Sequence, residues 1–142
     1  MALSLDEAFG FVDGHSRGVL VTLRRDGRPQ LSNVLYIAGA GRSVRISITA
    51  GRAKTKNLRR DPRASLHVTR DDFFAYVVLE GEVALSPVAA TTGDAVVGEL
   101  VEMYRTARGE HPDWDEFRSE MVEQSRLVAT LTATRAYGML GA

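Results

Sequence analysis

Apolar and polar positions change their period several times along the chain, and each change marks a new element. Leu5, Ala8, Phe9 and Val12 recur at helical spacing behind Ser4 and Glu7, which stand as a capping box, so a short opening helix is predicted to end near Gly14. Val19, Val21 and Leu23 then alternate with other residues ahead of Arg25-Asp26-Gly27, and Leu31, Asn33, Leu35 and Ile37 continue the alternation beyond it. An Asp-Gly pair suits the positive φ of a tight hairpin, so these first two strands are expected to pair. Val44, Ile46 and Ile48 alternate with Arg45, Ser47 and Thr49 as a third strand, which Ala50-Gly51 ends.

From Arg52 to Arg60 alternation is lost and good helix formers dominate, while Pro62 stops continuation, which predicts a helix of about two turns. Ala64 to Thr69 and Ala75 to Leu85 read as strands four and five, joined through Asp71-Asp72, with Gly81 marking a bulge where the long fifth strand bends. After Asp94 the period turns helical, with Val97, Leu100, Val101 and Tyr104 on one stripe. Trp114, Phe117 and Met121 mark a second helix after Pro112. Leu127 to Tyr137 closes the chain as a sixth strand. Six strands with short turns and inserted helices predict a mainly β fold, a closed or split antiparallel barrel forming one domain over residues 1–142. A barrel of this size fills its interior with side chains, so a large ligand is expected outside it, in a surface groove or between subunits.

Composition narrows the chemistry. The hydrophobic share of 44% and charged share of 25% are those of an ordinary globular protein, and no apolar run approaches the roughly 20 residues of a membrane helix. Neither membrane insertion nor a secretory leader is expected, and the absence of cysteine excludes disulfides and thiolate catalysis and fits a cytoplasmic location. Eighteen basic residues balance 18 acidic ones, so no net charge draws the protein to nucleic acid, and no aromatic side chain interrupts the basic run for base stacking. Charge is nevertheless segregated. Arg52, Lys54, Lys56, Arg59, Arg60 and Arg63 crowd a segment in which Asp61 is the only acid, and carboxylates concentrate between Asp94 and Glu123.

No serine-nucleophile elbow, zinc spacing or glycine-rich phosphate loop is present, and His15, His67 and His111 lie too far apart in sequence to read as a metal motif. What stands out is a strand end passing through Gly51 into a basic helix. The first turn of such a helix has free N–H groups and the positive end of a dipole, and Arg52 and Lys54 add charge-assisted bonds worth about 1–3 kcal/mol each to a phosphate. Charge pattern alone fits a solvated helix face equally well. Gln30, Ser32 and Asn33 on the second strand likewise suit either the polar rim of a heterocycle or an exposed sheet face.

In combination, Gly18 to Leu23, Asp26 to Val34, Arg52 to Arg63 and Leu79-Glu80-Gly81 resemble the split-barrel flavoproteins related to pyridoxamine phosphate oxidase. The Arg-Ala-Lys-Thr-Lys-Asn-Leu block is most similar to the branch that uses the deazaflavin coenzyme F420. That resemblance implies a coenzyme phosphate on Arg52, Lys54 and Asn57, with Thr55 and Lys56 beside them. It implies a ring system resting, largely through backbone groups, on Gln30, Leu31, Ser32, Asn33 and Val34 and on Ser47, Ile48 and Thr49. Val77, Val78 and Leu79 would approach from the partner of a homodimer. Arg59, Arg60 and Arg63 extend the positive field toward a polyglutamate tail. The implied activity is hydride transfer to a small conjugated acceptor, with Tyr36, His67 or water as the proton source and no catalytic side chain assigned. An FMN-dependent pyridoxamine phosphate oxidase-like enzyme and a non-catalytic coenzyme carrier are the alternatives.

Overall fold

In the computed structural model, which describes residues 1–141, a two-residue strand β1 (Ala2–Leu3) precedes the opening helix α1 (Leu5–Val12). The capping box closes as predicted, Ser4 Oγ accepting from the Glu7 N–H at 3.0 Å and Glu7 Oε1 from the Ser4 N–H at 3.1 Å. β2 (Arg17–Leu23) and β3 (Pro29–Leu35) form the predicted hairpin around Gly27, whose φ of 88° needs glycine.

The expected second strand does not run on through Ile37. Tyr36 interrupts it: its N–H donates to the Ser16 carbonyl at 2.9 Å and its buried hydroxyl donates to the Val12 carbonyl at 2.6 Å. The chain is pinned there, and the next residues leave β2 to form β4 (Ile37–Gly39), which pairs with β5 (Ser43–Thr49). Continuous alternation in the sequence thus hides a change of partner. α2 (Ala53–Arg60), β6 (Arg63–Thr69), β7 (Tyr76–Leu85), α3 (Ala95–Arg108), α4 (Trp114–Glu123) and β8 (Arg126–Met139) complete the order. Among the described residues there are eight strands, not six: the additional two are β1, too short to show a period, and β4.

The strands lie in the order β3-β2-β6-β7-β8-β5-β4, every neighbour antiparallel, with β1 beside the end of β8. β8 supplies the curl, pairing with β5 through Arg126 to Thr132 and with β7 through Ala129 to Met139. The sheet bends until β3 and β5 come into contact, giving a mainly β split barrel with four helices. Its inner face is filled by Leu20, Ile46, Leu66, Leu79 and Leu131, with Val12 of α1 and Leu58 of α2 packed against them. A second apolar cluster forms on the outer face, where Val97, Leu100, Phe117 and Met121 of α3 and α4 cover Val128 of β8. Among the described residues, no helix is long and apolar enough to cross a membrane.

The register shifts at Glu80/Gly81, as the glycine suggested, but the extra residue lies on β8: Glu80 faces Arg135 and Gly81 faces Ala133, so Thr134 has no opposite number. A Cβ at Gly81 would sit 1.9 Å from the Thr132 carbonyl oxygen. Gly81→Ala is therefore expected to destabilise the fold by about 2 kcal/mol or more, read as a lowered urea midpoint.

Candidate cofactor site

The site is assembled where β5 runs out. The Thr49 carbonyl accepts from the Arg52 N–H at 3.3 Å and from the Thr55 hydroxyl at 2.6 Å, and the Ala50 N–H donates to the Ser125 carbonyl at 3.0 Å. These bonds fix the loop before α2 against both flanking strands. Arg52 is the N-cap residue, extended at φ −77°, but its side chain makes no capping bond, and no acid stands in the first turn. The positive end of the helix is thus left uncompensated by the chain itself.

Around that end three cations gather. Burial lowers the Lys54 ammonium below its ordinary pKa, and the positive charges of Arg52 and then Arg126 lower it further. Burial, followed by the charge of Arg52, likewise lowers Arg126. None of the three forms an ion pair with a carboxylate among the described residues. Cations crowded in this way without an acid fit an anionic ligand, whose charge removes the mutual repulsion.

The predicted basic run is divided by the structure. Arg60 donates to the Leu23 carbonyl at 2.8 Å and to Asn57 Oδ1 at 3.1 Å, while Arg63 pairs with Asp61 at 2.9 Å. Both have structural partners and are not the free extension of the positive field that the sequence suggested; Arg59 has no such partner among the described residues. Thr55 and Asn57 are also turned inward. Asn57 Nδ2 donates to Thr22 Oγ1 at 3.2 Å, and both residues are buried, so its amide joins α2 to β2 and does not face a phosphate.

Alternation decides which other predicted side chains reach a ligand. Val34, Ile48, Val77 and Leu79 belong to the barrel core, leaving only their backbone groups for binding. Gln30 and Ser32 lie opposite the inward-facing Thr22 and Leu20, and Gln30 Oε1 accepts from Arg24 Nε. Leu31 and Asn33 point to the outer face, as do Ser47 and Thr49 on β5. Val78 lies on the outer face too, yet is only 6% exposed. The structure therefore brings Arg52 and Lys54 together with Arg126, and sets Leu31 and Asn33 on a separate, open part of the sheet, with Val78 on the same face but buried.

Arg126 was missed by sequence reading. It opens β8, and only the β5–β8 register brings it opposite Thr49. The available hint was the polar triplet Gln124-Ser125-Arg126 before an apolar strand. Two recesses adjoin these residues. A cleft of about 880 Å³ lies between α3/α4 and β4/β5, bordered by Ser47 and Arg126 and by Leu35, Ile37, Met103 and Phe117. A recess of about 500 Å³ on the open face includes Asn33, Val19 and His67. Leu35 and Arg17 line both. Tyr36, considered as a proton source, has its hydroxyl bonded to the Val12 carbonyl, and burial followed by the nearby Asp13 charge holds its pKa far above the ordinary phenol value. No group of His, Asp or Glu among the described residues is arranged to hold a metal.

Fold and site together define a split-barrel protein with three clustered cations at a strand-to-helix turn outside a filled barrel. The chain belongs to the pyridoxamine 5'-phosphate oxidase family, whose pattern matches residues 4–139. Solved structures agree on the fold. A conserved hypothetical protein from Mycobacterium tuberculosis is similar at a TM-score of 0.75 and 24% identity, over 97% of this chain and 85% of that one. An F420 reductase matches at 0.66 and 21%, over 86% and 89%. HutZ, described as the heme storage protein from Vibrio cholerae, matches at 0.70 and 13%, over 98% of each chain. One barrel therefore serves proteins named for different ligands, and the ligand of this chain has to be argued from its own residues.

The inward-facing ties generate a test. Asn57→Ala leaves Thr22 Oγ1 without its donor and Arg60 without one acceptor, and should cost about 1–3 kcal/mol in urea unfolding.

Proposed function

We propose that the protein is an oxidoreductase that binds coenzyme F420 in a homodimer and passes hydride to a small conjugated acceptor. The observation that carries this reading is the unpaired cation cluster at the start of α2, which fits a phosphate-bearing coenzyme tail. The F420 reductase among the similar folds supports the choice of deazaflavin. The family's own name favours the second reading, an FMN-dependent enzyme using the same anion site.

The coenzyme would supply the hydride chemistry, and the chain's residues bind and orient it. Arg52 and Lys54 hold the anionic tail. Thr55 and Asn57 act on those two as positioning residues, by fixing α2 to Thr49 and Thr22. Outward-facing Asn33 on β3 and Ser47 and Thr49 on β5 offer polar side chains to a ring, and the apolar walls of the cleft exclude water from it.

The homodimer draws support from the bare part of the sheet. Leu31 and Leu35 on β3 are 59% and 57% exposed, Tyr137 and Met139 on β8 are exposed on the same face, and Phe73 and Phe74 at the β6–β7 turn reach 81% and 76%. So many large apolar side chains on one small chain mark an association surface. The subunit pairing we propose covers that surface and brings the outer face of β7 toward the partner's coenzyme.

Two outcomes test this reading. Lys54→Ala should weaken F420 binding about tenfold, near 1.4 kcal/mol, without unfolding the domain; fluorescence titration against F420 and FMN in parallel measures it, and tight binding of FMN alone selects the second reading. Leu31→Glu, a change at an exposed position, should turn the dimer into folded monomer in analytical ultracentrifugation, and an unaltered dimer removes this face from the interface.

A further inference from the structure

We propose that Arg126 is the third cation of the anion site and grips the same phosphate as Arg52 and Lys54 from the side of the α3/α4 cleft. This rests on the coenzyme reading only for the choice of flavin probes; the anion site itself is argued from the geometry.

Arg126 and Thr49 are direct partners in the β5–β8 ladder, so their side chains leave the sheet on the same face. The Thr49 carbonyl is the anchor of both the Arg52 N–H and the Thr55 hydroxyl, and the neighbouring Ser125 carbonyl holds Ala50. The start of β8 and the start of α2 are thereby stitched to the same short loop. Arg126 also borders the cleft, which Arg52 and Lys54 do not.

Its guanidinium is underused. Nε donates to Gln124 Oε1 at 3.0 Å, while Nη1 lies 3.4 Å from the Ser47 carbonyl and 3.5 Å from Ser47 Oγ. Nη2 has no hydrogen-bond partner among the described residues, and no carboxylate pairs with the group. A guanidinium offers five N–H donors in a planar fork that matches two oxygens of one phosphate. The chain thus keeps a half-buried, partly unpaired arginine beside two further cations, an arrangement that works against folding until an anion arrives. A phosphomonoester or phosphodiester held by all three has its next group directed into the cleft.

The test compares FMN with riboflavin, which differ by the phosphate, and adds F420 and inorganic phosphate. In the absence of ligand, Arg126→Gln should melt at or above the wild-type temperature, because repulsion is relieved. It should weaken FMN and F420 binding about tenfold and leave riboflavin affinity unchanged. Arg126→Lys, which keeps the charge but not the fork, should fall between the two, and it carries the same comparison if the glutamine variant does not fold. FMN and F420 affinities within about twofold of wild type overturn the proposal, as does an equal loss for riboflavin, which would mark a structural role. If the wild type binds neither coenzyme, the reading under Proposed function fails while this one is decided by phosphate. Stabilisation by inorganic phosphate beyond a chloride control of equal ionic strength, lost in Arg126→Gln, sustains it; no such stabilisation ends it.

Discussion

The bond from the Thr55 hydroxyl to the Thr49 carbonyl, 2.6 Å long and fully buried at the threonine, is the constraint on which the site depends. An eight-residue helix has little stability of its own and takes its place from tertiary contacts. Here those contacts are few and specific: Thr55 to the end of β5, Asn57 to Thr22 of β2, and Leu58 into the barrel core. The same short segment therefore divides its labour by helical face. Its inner side uses hydroxyl, amide and leucine to lock onto the barrel, and its outer side is left to carry charge.

With α2 locked, half-buried Lys54 and Arg126 have less room than exposed Arg52 to move apart and relieve their repulsion. That separates them from ordinary surface lysines and arginines, which swing into solvent and interact weakly. Lys54 is the clearest case, because burial and two guanidinium charges act on it in the same direction. The other cations of the run are handled differently. Arg60 is spent on the Leu23 carbonyl and on Asn57, and Arg63 on Asp61, so each helps to hold the segment in place. A block that looks uniform as a string of charges thus contains cations tied to neighbouring groups, Arg60 and Arg63, and others without such partners among the described residues.

Most of the fold was legible because it rests on local period and local turn chemistry. The capping box at Ser4, the Asp-Gly hairpin and the helical stripe through Leu100 each act within a few residues, and each is found where it was expected. The failures share another cause. Tyr36 breaks an apparently continuous strand through bonds to Val12 and Ser16, partners well upstream that no alternation pattern reports. Arg126 enters the cation cluster only through the β5–β8 register, a pairing across more than seventy residues of chain. Asn57 shows the limit of residue chemistry: an amide in a basic block suits a phosphate as well as a buried threonine, and only the helix face decides between them.

The outer face of the sheet explains how these parts relate. One part of it, at the start of β8, is roofed by α3 and α4, whereas Leu31 and Leu35 on β3 are exposed. The cleft follows the edge of the roof, and Leu35 and Arg17 belong both to it and to the open-face recess that contains Asn33. A ligand fixed by its anion at the start of β8 and lying along the cleft is thus led toward Leu35, where the bare face begins. Arg126 at one border of the cleft and Asn33 in the open-face recess, far apart in sequence, thus belong to two recesses that meet at Leu35 and Arg17. A second subunit seated over Leu35 would cover the place where the two recesses meet, so ligand binding and association would favour one another.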